Sequence, residues 1–221
     1  AIGDVLLVSG ICRELRRQRS LSQVYVETPF SALFDHSPYC RASFQVARAP
    51  DTLFIDLDMS YEMAPETHIM DAYAAAIGIK LTERTVAFEP HPSDLESIRS
   101  KMPGGRWCAI HPGPTTWMGK NWPLERFEQL VAWLHQRGFR MFGVGGAGGA
   151  RLPGTNDLVG RLSFSELGSV LRQCSLFIGV DSFPMHMAQA AGIPTVGIFG
   201  VSSPQYIMTD SSPHIGVQAS V

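Results

Sequence analysis

Residues 163–199, SFSELGSVLRQCSLFIGVDSFPMHMAQAAGIPTVGIF, decide the fold. They open on Ser163 and Glu166, an S-x-x-E spacing in which each side chain can satisfy a backbone N–H at a helix start. A helix over 163–173 is therefore expected. The apolar run at 176–180 then reads as a buried strand, 184–191 as a second helix with Pro184 in its first turn, and the β-branched run at 195–199 as another strand. This alternation requires parallel strands, because a parallel pair is joined by a long, usually helical crossover.

The same alternation extends upstream. Short apolar runs predict strands at 24–26, 53–55, 86–88, 107–110 and 140–144. Helical spacing of apolar residues predicts helices at 5–18, 66–77, 93–101 and 124–137. The expected class is α/β, with parallel sheets covered by helices on both faces. Pro103-Gly104-Gly105 separates a helix from a fresh strand, so the chain is divided into 1–103 and 104–221. No fixed-period repeat or low-complexity tract is visible.

Composition narrows the function classes. With 221 residues, 45 % hydrophobic and 17 % charged, the chain has the make-up of a folded globular protein rather than a disordered one. Eighteen basic against twenty acidic side chains give a formal charge of −2, too balanced to drive nucleic-acid binding by charge alone, and no nucleic-acid partner is expected. No apolar run approaches the roughly 20 residues that span a bilayer, and no secretory signal opens the chain, so a cytoplasmic location is expected. Cys12, Cys40, Cys108 and Cys174 are widely spaced without a C-x-x-C pair; they are expected to be reduced and buried, with no zinc or redox motif.

Gly143, Gly145 and Gly148 match G-x-G-x-x-G after an expected strand, the pattern of a dinucleotide-binding turn. That turn must open a helix, yet Gly149, Pro153 and Gly154 follow and would break one. The required acidic residue about 20 positions on is also missing. A strand-to-helix connection is the expectation there.

Three strand-to-helix junctions carry chemistry instead: residues 2–5, 111–123 and 180–194. Ligands of open parallel sheets bind at the carboxyl ends of strands, where such junctions lie. On its residue type Asp4 is either a helix N-cap or a general base. Lys120 is either a solvated surface lysine or a cation held against phosphates. His186 is either a satisfied structural histidine or a donor to phosphate.

Through GDVLLVSGICRELRRQ (3–18), HPGPTTWMGKNWPLERFEQL (111–130) and LVGRLSFSELGSVLRQCSLFIGVDSFPMHMAQAAGIPTVGIFG (158–200), the sequence resembles the ADP-heptose:lipopolysaccharide heptosyltransferases, glycosyltransferase family nine. HIMDAYAAAIGI (68–79) looks like the end of that family's first domain. The resemblance spans most of residues 2–204 and is densest after Ile110. It implies a GT-B fold, two Rossmann-like domains facing across a cleft, with 1–103 on the acceptor side and 104–221 binding the nucleotide sugar. It implies inverting transfer of heptose, or a related sugar, from ADP-heptose to a saccharide such as the lipopolysaccharide inner core, with no metal and no cofactor beyond the substrate.

Under the resemblance Asp4 is the catalytic base. Thr115 and Thr116 add hydroxyl donors to the donor site, and Lys120 belongs to the K-x-W-P motif that meets the diphosphate. Asp181, Ser182 and His186 match the D-[ST]-G-x-x-H signature: Ser182 and His186 would donate to phosphate, and Asp181 would accept from sugar hydroxyls. The helix starting near Pro184 would aim its N-terminal amides at the same group.

The sequence also departs from the family. Phe183 stands where the signature has glycine, which bears on sugar specificity and on activity. The chain begins after the family's first strand and ends soon after Phe199, so either it is a fragment or the fold is trimmed at both ends. Residues 145–156 lack the helix and the ribose-binding acidic residue of the family. Arg13, Arg16, Arg17 and Arg19 form either a solvated face or a surface for phosphorylated lipopolysaccharide core or the inner membrane, which would make the protein peripheral to that membrane. Two other readings stay open: a non-catalytic sugar-nucleotide-binding or assembly module of the same fold, and a transferase using a different nucleotide sugar.

Overall fold

The computed structural model describes residues 1–19, 23–113 and 119–218. The first half runs α1 (Ile2–Gln18), β1 (Tyr25–Glu27), a 3-10 turn (Ser31–Phe34), β2 (Arg41–Ser43), α2 (Ile69–Ile77) and α3 (Pro92–Lys101). The second runs β3 (Arg106–His111), α4 (Leu124–His135), β4 (Phe139–Gly143), β5 (Asn156–Asp157), α5 (Phe164–Arg172), β6 (Leu176–Val180), α6 (Phe183–Ala190), β7 (Thr195–Phe199), α7 (Pro204–Ile207) and β8 (His214–Gln218).

The α/β class holds. Strands β3–β8 form one parallel sheet in the order β5-β4-β3-β6-β7-β8, while β1 and β2 pair in parallel on their own. Counted along the chain, the large sheet has the doubly wound order 3-2-1-4-5-6, which changes direction between β3 and β6. The loops after these two strands therefore border a crevice. Alternation along β3 shows why both sheet faces are covered: Trp107 and Ala109 join one apolar core, Cys108 and Ile110 the other. The second core packs Phe127, Val131 and Leu134 of α4 onto the sheet. The first continues through Met185 and Met187 of α6 into Leu6, Leu7 and Ile11 of α1 and Met70 of α2, so it reaches both halves of the chain.

Helix ends follow local chemistry. Ser163 and Glu166 exchange the reciprocal bonds of a capping box at α5, Ser163 Oγ accepting from Glu166 N–H at 3.2 Å and Glu166 Oε2 from Ser163 N–H at 2.8 Å. His68 caps α2, its Nδ1 accepting from Met70 N–H at 3.2 Å. All four cysteines are free and buried, and burial pushes the Cys174 thiol up to about 12.

Two expected strands are corrected. Residues 53–55 form none: Leu53 and Phe54 are exposed, and with no sheet beside them an apolar run has neither backbone partners nor cover. Val86 and Phe88 are buried and Ala87 half-buried, but their backbone bonds go to side chains rather than to a ladder. Val86 N–H donates to Ser211 Oγ, Ala87 N–H to Ser9 Oγ, and Arg172 donates to the Phe88 carbonyl at 2.9 Å. The chain also continues in regular structure beyond Phe199, through α7 and β8, and β2 and β5 were not foreseen. After β4 no helix opens at Gly145 and Gly148; the connection runs directly to β5, a strand-to-strand link rather than the strand-to-helix one expected.

Candidate nucleotide-sugar site

The loops after β3, β6 and β7 meet above the switch point. Gly200 lies so close to the loop at 119–120 that a Cβ on it would sit 1.6 Å from the Gly119 carbonyl oxygen, so only glycine fits there. Val201 N–H donates to that carbonyl at 3.3 Å. This contact sets Lys120 beside the end of β6, where its Nζ pairs with Asp181 Oδ2 at 2.6 Å. Asp181 is buried, at 4 % exposure, and the same oxygen accepts from Ser202 Oγ at 2.6 Å. Its backbone N–H donates to Ile198 of β7 at 3.2 Å, fixing the junction.

Ser182 caps α6 by position only. Its Oγ donates to the Val180 carbonyl at 3.1 Å, and no side chain caps the first turn. The positive dipole end of the helix therefore faces the crevice without a side-chain cap, and since Pro184 has no N–H and Met185 N–H donates to the Ser182 carbonyl, Phe183 supplies the first-turn N–H. One turn on, His186 is buried with no hydrogen-bond partner for Nδ1. Burial lowers its pKa, the Asp181 and Asp4 carboxylates work against that shift, and Lys120 adds to it.

The N-terminus of α1 closes the other side. A Cβ on Gly3 would lie 2.9 Å from His186 Cδ2 and 3.6 Å from Phe183 Cα, so glycine here lets α1 and α6 touch. Asp4 lies in the first turn of α1 rather than at its cap, with a side chain 22 % exposed that contacts the amine of Ala1. Tyr61 and Tyr73 pack edge-to-face at 6.2 Å. Burial and then the Asp4 carboxylate push both phenols well above the usual tyrosine range. Asp181 adds a smaller share to the shift of Tyr61.

The structure thus brings Asp4, Lys120, Asp181, Ser182 and His186 together around one crevice. Thr115 and Thr116 lie outside the described residues. Phe183 turns its ring onto Phe164 at the start of α5, at 5.4 Å between centroids. Ser202 and Tyr61 were not foreseen, since neither belongs to a recognisable spacing; the one signal for Ser202 was its place just after an expected strand. The arginines of α1 do not form one free face. Arg13 donates to the Thr85 carbonyl at 3.2 Å, Arg17 pairs with Glu14 at 2.6 Å, and Arg19 donates to the Gly78 carbonyl at 3.1 Å. Among the described residues no helix is long and apolar enough to cross a membrane.

Residues 66–218 match the family profile described as Glycosyltransferase family 9 (heptosyltransferase). Lipopolysaccharide heptosyltransferase 3 of Escherichia coli is 33 % identical over 95 residues, 38 % of this chain and 28 % of that protein. Lipopolysaccharide heptosyltransferase 1 of Pseudomonas aeruginosa is 25 % identical over 173 residues, 69 % of this chain and 48 % of that protein. The matched part is thus less than half of either relative's length. Among solved structures, the glycosyl transferase family 9 protein of Veillonella parvula superposes with a TM-score of 0.75 at 14 % identity, covering 99 % of this chain and 84 % of that one.

Proposed function

Since the chain belongs to glycosyltransferase family 9, we propose that it transfers heptose, or a related sugar, from ADP-heptose to a saccharide acceptor such as the lipopolysaccharide inner core, with inversion and in the cytoplasm. In this reading residues 104–221 hold the donor and residues 1–103 face the acceptor. One observation carries the reading: the Lys120–Asp181 pair after β3 and β6 and the His186 helix that packs against Gly3 beside Asp4 converge at the crevice where the sheet order reverses.

Each group then has a task. Asp4 takes the proton of the acceptor hydroxyl as its oxygen attacks the anomeric carbon from the side opposite the leaving diphosphate. Lys120 and the uncapped N-terminus of α6 stabilise the charge that develops on that diphosphate, the task a divalent cation would otherwise perform. His186 and Ser182 donate to phosphate oxygens, and Asp181 orients the sugar through its hydroxyls. The arginines of α1 need no membrane for this, because Arg13, Arg17 and Arg19 already have protein partners.

Phe183 favours a second reading, a module that binds the nucleotide sugar without turnover, because a phenyl ring occupies the first position of α6. One experiment separates the two. Purified protein is incubated with ADP-heptose and a saccharide acceptor, ADP release is followed, and ADP binding is measured by calorimetry. Transfer that Asp4→Asn lowers by about 10²- to 10⁴-fold, with ADP binding unchanged, supports the transferase. ADP binding without release supports the module, and neither binding nor release sinks both.

A further inference from the structure

We propose that Ser202 is a positioning residue of the nucleotide site: its hydroxyl holds the Asp181 carboxylate so that Lys120 can leave it for a diphosphate. The inference rests on reading the crevice as a nucleoside-diphosphate-sugar site. Two donors converge on one oxygen, Lys120 Nζ and Ser202 Oγ, each 2.6 Å from Asp181 Oδ2. No hydrogen bond among the described residues engages the side-chain Oδ1, which is left for a ligand hydroxyl.

A lysine committed to a buried carboxylate is a poor phosphate ligand, because moving it strands a charge that water cannot reach. The cost of moving Lys120 falls if a second donor stays behind. Ser182, the neighbour of Asp181, cannot serve, since its hydroxyl donates to the Val180 carbonyl. Ser202 can, and it is held so that it does not follow the lysine. The side-chain amide of Gln218, on the edge strand β8, donates to the carbonyls of Gly200 and Ser202 at 3.1 Å each. Val201 N–H and the close Gly119–Gly200 contact fix the same loop from the lysine's side. Strands β3, β6, β7 and β8 thus each contribute one part: the lysine, the carboxylate, the hydroxyl and the staple behind it.

When a diphosphate enters, Lys120 turns to its oxygens while Asp181 keeps the Ser202 bond and its orientation toward the sugar. Without Ser202, the carboxylate has Lys120 as its remaining partner and competes with the phosphate for it.

Ser202→Ala and Ser202→Thr test this alongside the unaltered protein, with ADP binding by calorimetry, thermal unfolding, and donor KM and kcat. Ser202→Ala is expected to weaken ADP binding by about tenfold, the scale of one hydrogen bond to a charged group. Donor KM should rise by a similar factor while kcat changes by less than about threefold, and Ser202→Thr should restore both to within about twofold. Unchanged ADP affinity in Ser202→Ala overturns the inference and leaves the reading of the site intact. So does equal impairment of both variants alongside a lowered unfolding temperature, which would mark Ser202 as structural. If the unaltered protein binds no ADP, the reading of the site falls and this inference with it.

Discussion

Residues 44–63 and residues 163–199 both carry large apolar side chains, yet the first stretch exposes them and the second buries them. Phe44 is 77 % exposed, Leu53 83 % and Met63 81 %, whereas Phe177 and Met185 are fully buried. The backbone accounts for the difference. In the first stretch its bonds close local turns, Thr52 N–H to Ala49, Ser60 N–H to Leu57 and Met63 N–H to Met59. In the second they run between β6 and β7 and along α5 and α6, with helices supplying cover. Apolar content becomes core only where the strand has a hydrogen-bonded neighbour and a helix over it.

The largest test of that contrast is Phe177→Ala. Its ring is fully enclosed, so truncation should cost about 3–5 kcal/mol in urea unfolding at constant m-value. A loss under about 1 kcal/mol would mean that the sheet repacks easily and that the two stretches differ less than their exposures indicate.

Next in size is Lys120→Met, which separates the site from the core beneath it. It leaves Asp181 with Ser202 alone. Because Ser202 still donates to the buried Asp181 carboxylate, the cost should be about 2 kcal/mol rather than the larger figure for a buried charge left without any partner. ADP binding should fall more steeply than stability. Equal losses in both would identify the pair as scaffold.

Acid should weaken the buried region selectively. His68, His111 and His186 are all held below the usual histidine range, chiefly by burial. Above about pH 7.5 they are uncharged in both folded and unfolded chains, so they add no pH dependence there. As pH falls through about 6.5 the unfolded chain takes up protons that the folded one refuses, and stability declines until the folded pKa values are reached. His68 tests one share of this. Its Nε2 donates to the Met208 carbonyl at 2.9 Å and its Nδ1 accepts from Met70, so a second proton has no acceptor. The charges around it are Arg84, which opposes protonation, and Asp71 and Asp210, which favour it. His68→Gln should flatten the decline between about pH 7.5 and about pH 5.5. An unchanged slope would assign the whole decline to His111 and His186.

The same contrast governs what the sequence discloses. The box at Ser163 and Glu166, the run at 176–180 and the helix near Pro184 are local patterns, and the structure keeps each within a residue or two. The structure brings Asp4, Lys120, Asp181, Ser182 and His186 around one crevice, and they were legible as candidates only through the resemblance to a family, since residue type alone left a structural role open for Asp4, Lys120 and His186. Ser202 was not, because its role depends on where β7 lies beside β6, and strand order cannot be read from periodicity. Residues 86–88 misled because a largely buried segment whose backbone bonds go to Ser9 and Ser211 has the composition of a strand. Residues 53–55 misled for the opposite reason, since nothing in the run itself records that no neighbour exists.

Leu53→Ala is the smallest and most discriminating test. If this side chain contributes nothing to the core, its removal should change stability by less than about 0.5 kcal/mol, as for a surface position. The measurement is urea unfolding of the variant beside Phe177→Ala under identical conditions. Both substitutions delete large apolar groups from runs of similar hydrophobicity, so their ratio isolates the effect of having a paired strand and a covering helix. A cost for Leu53→Ala near that of Phe177→Ala would show that residues 53–55 do pack in solution, and the distinction between the two stretches would collapse.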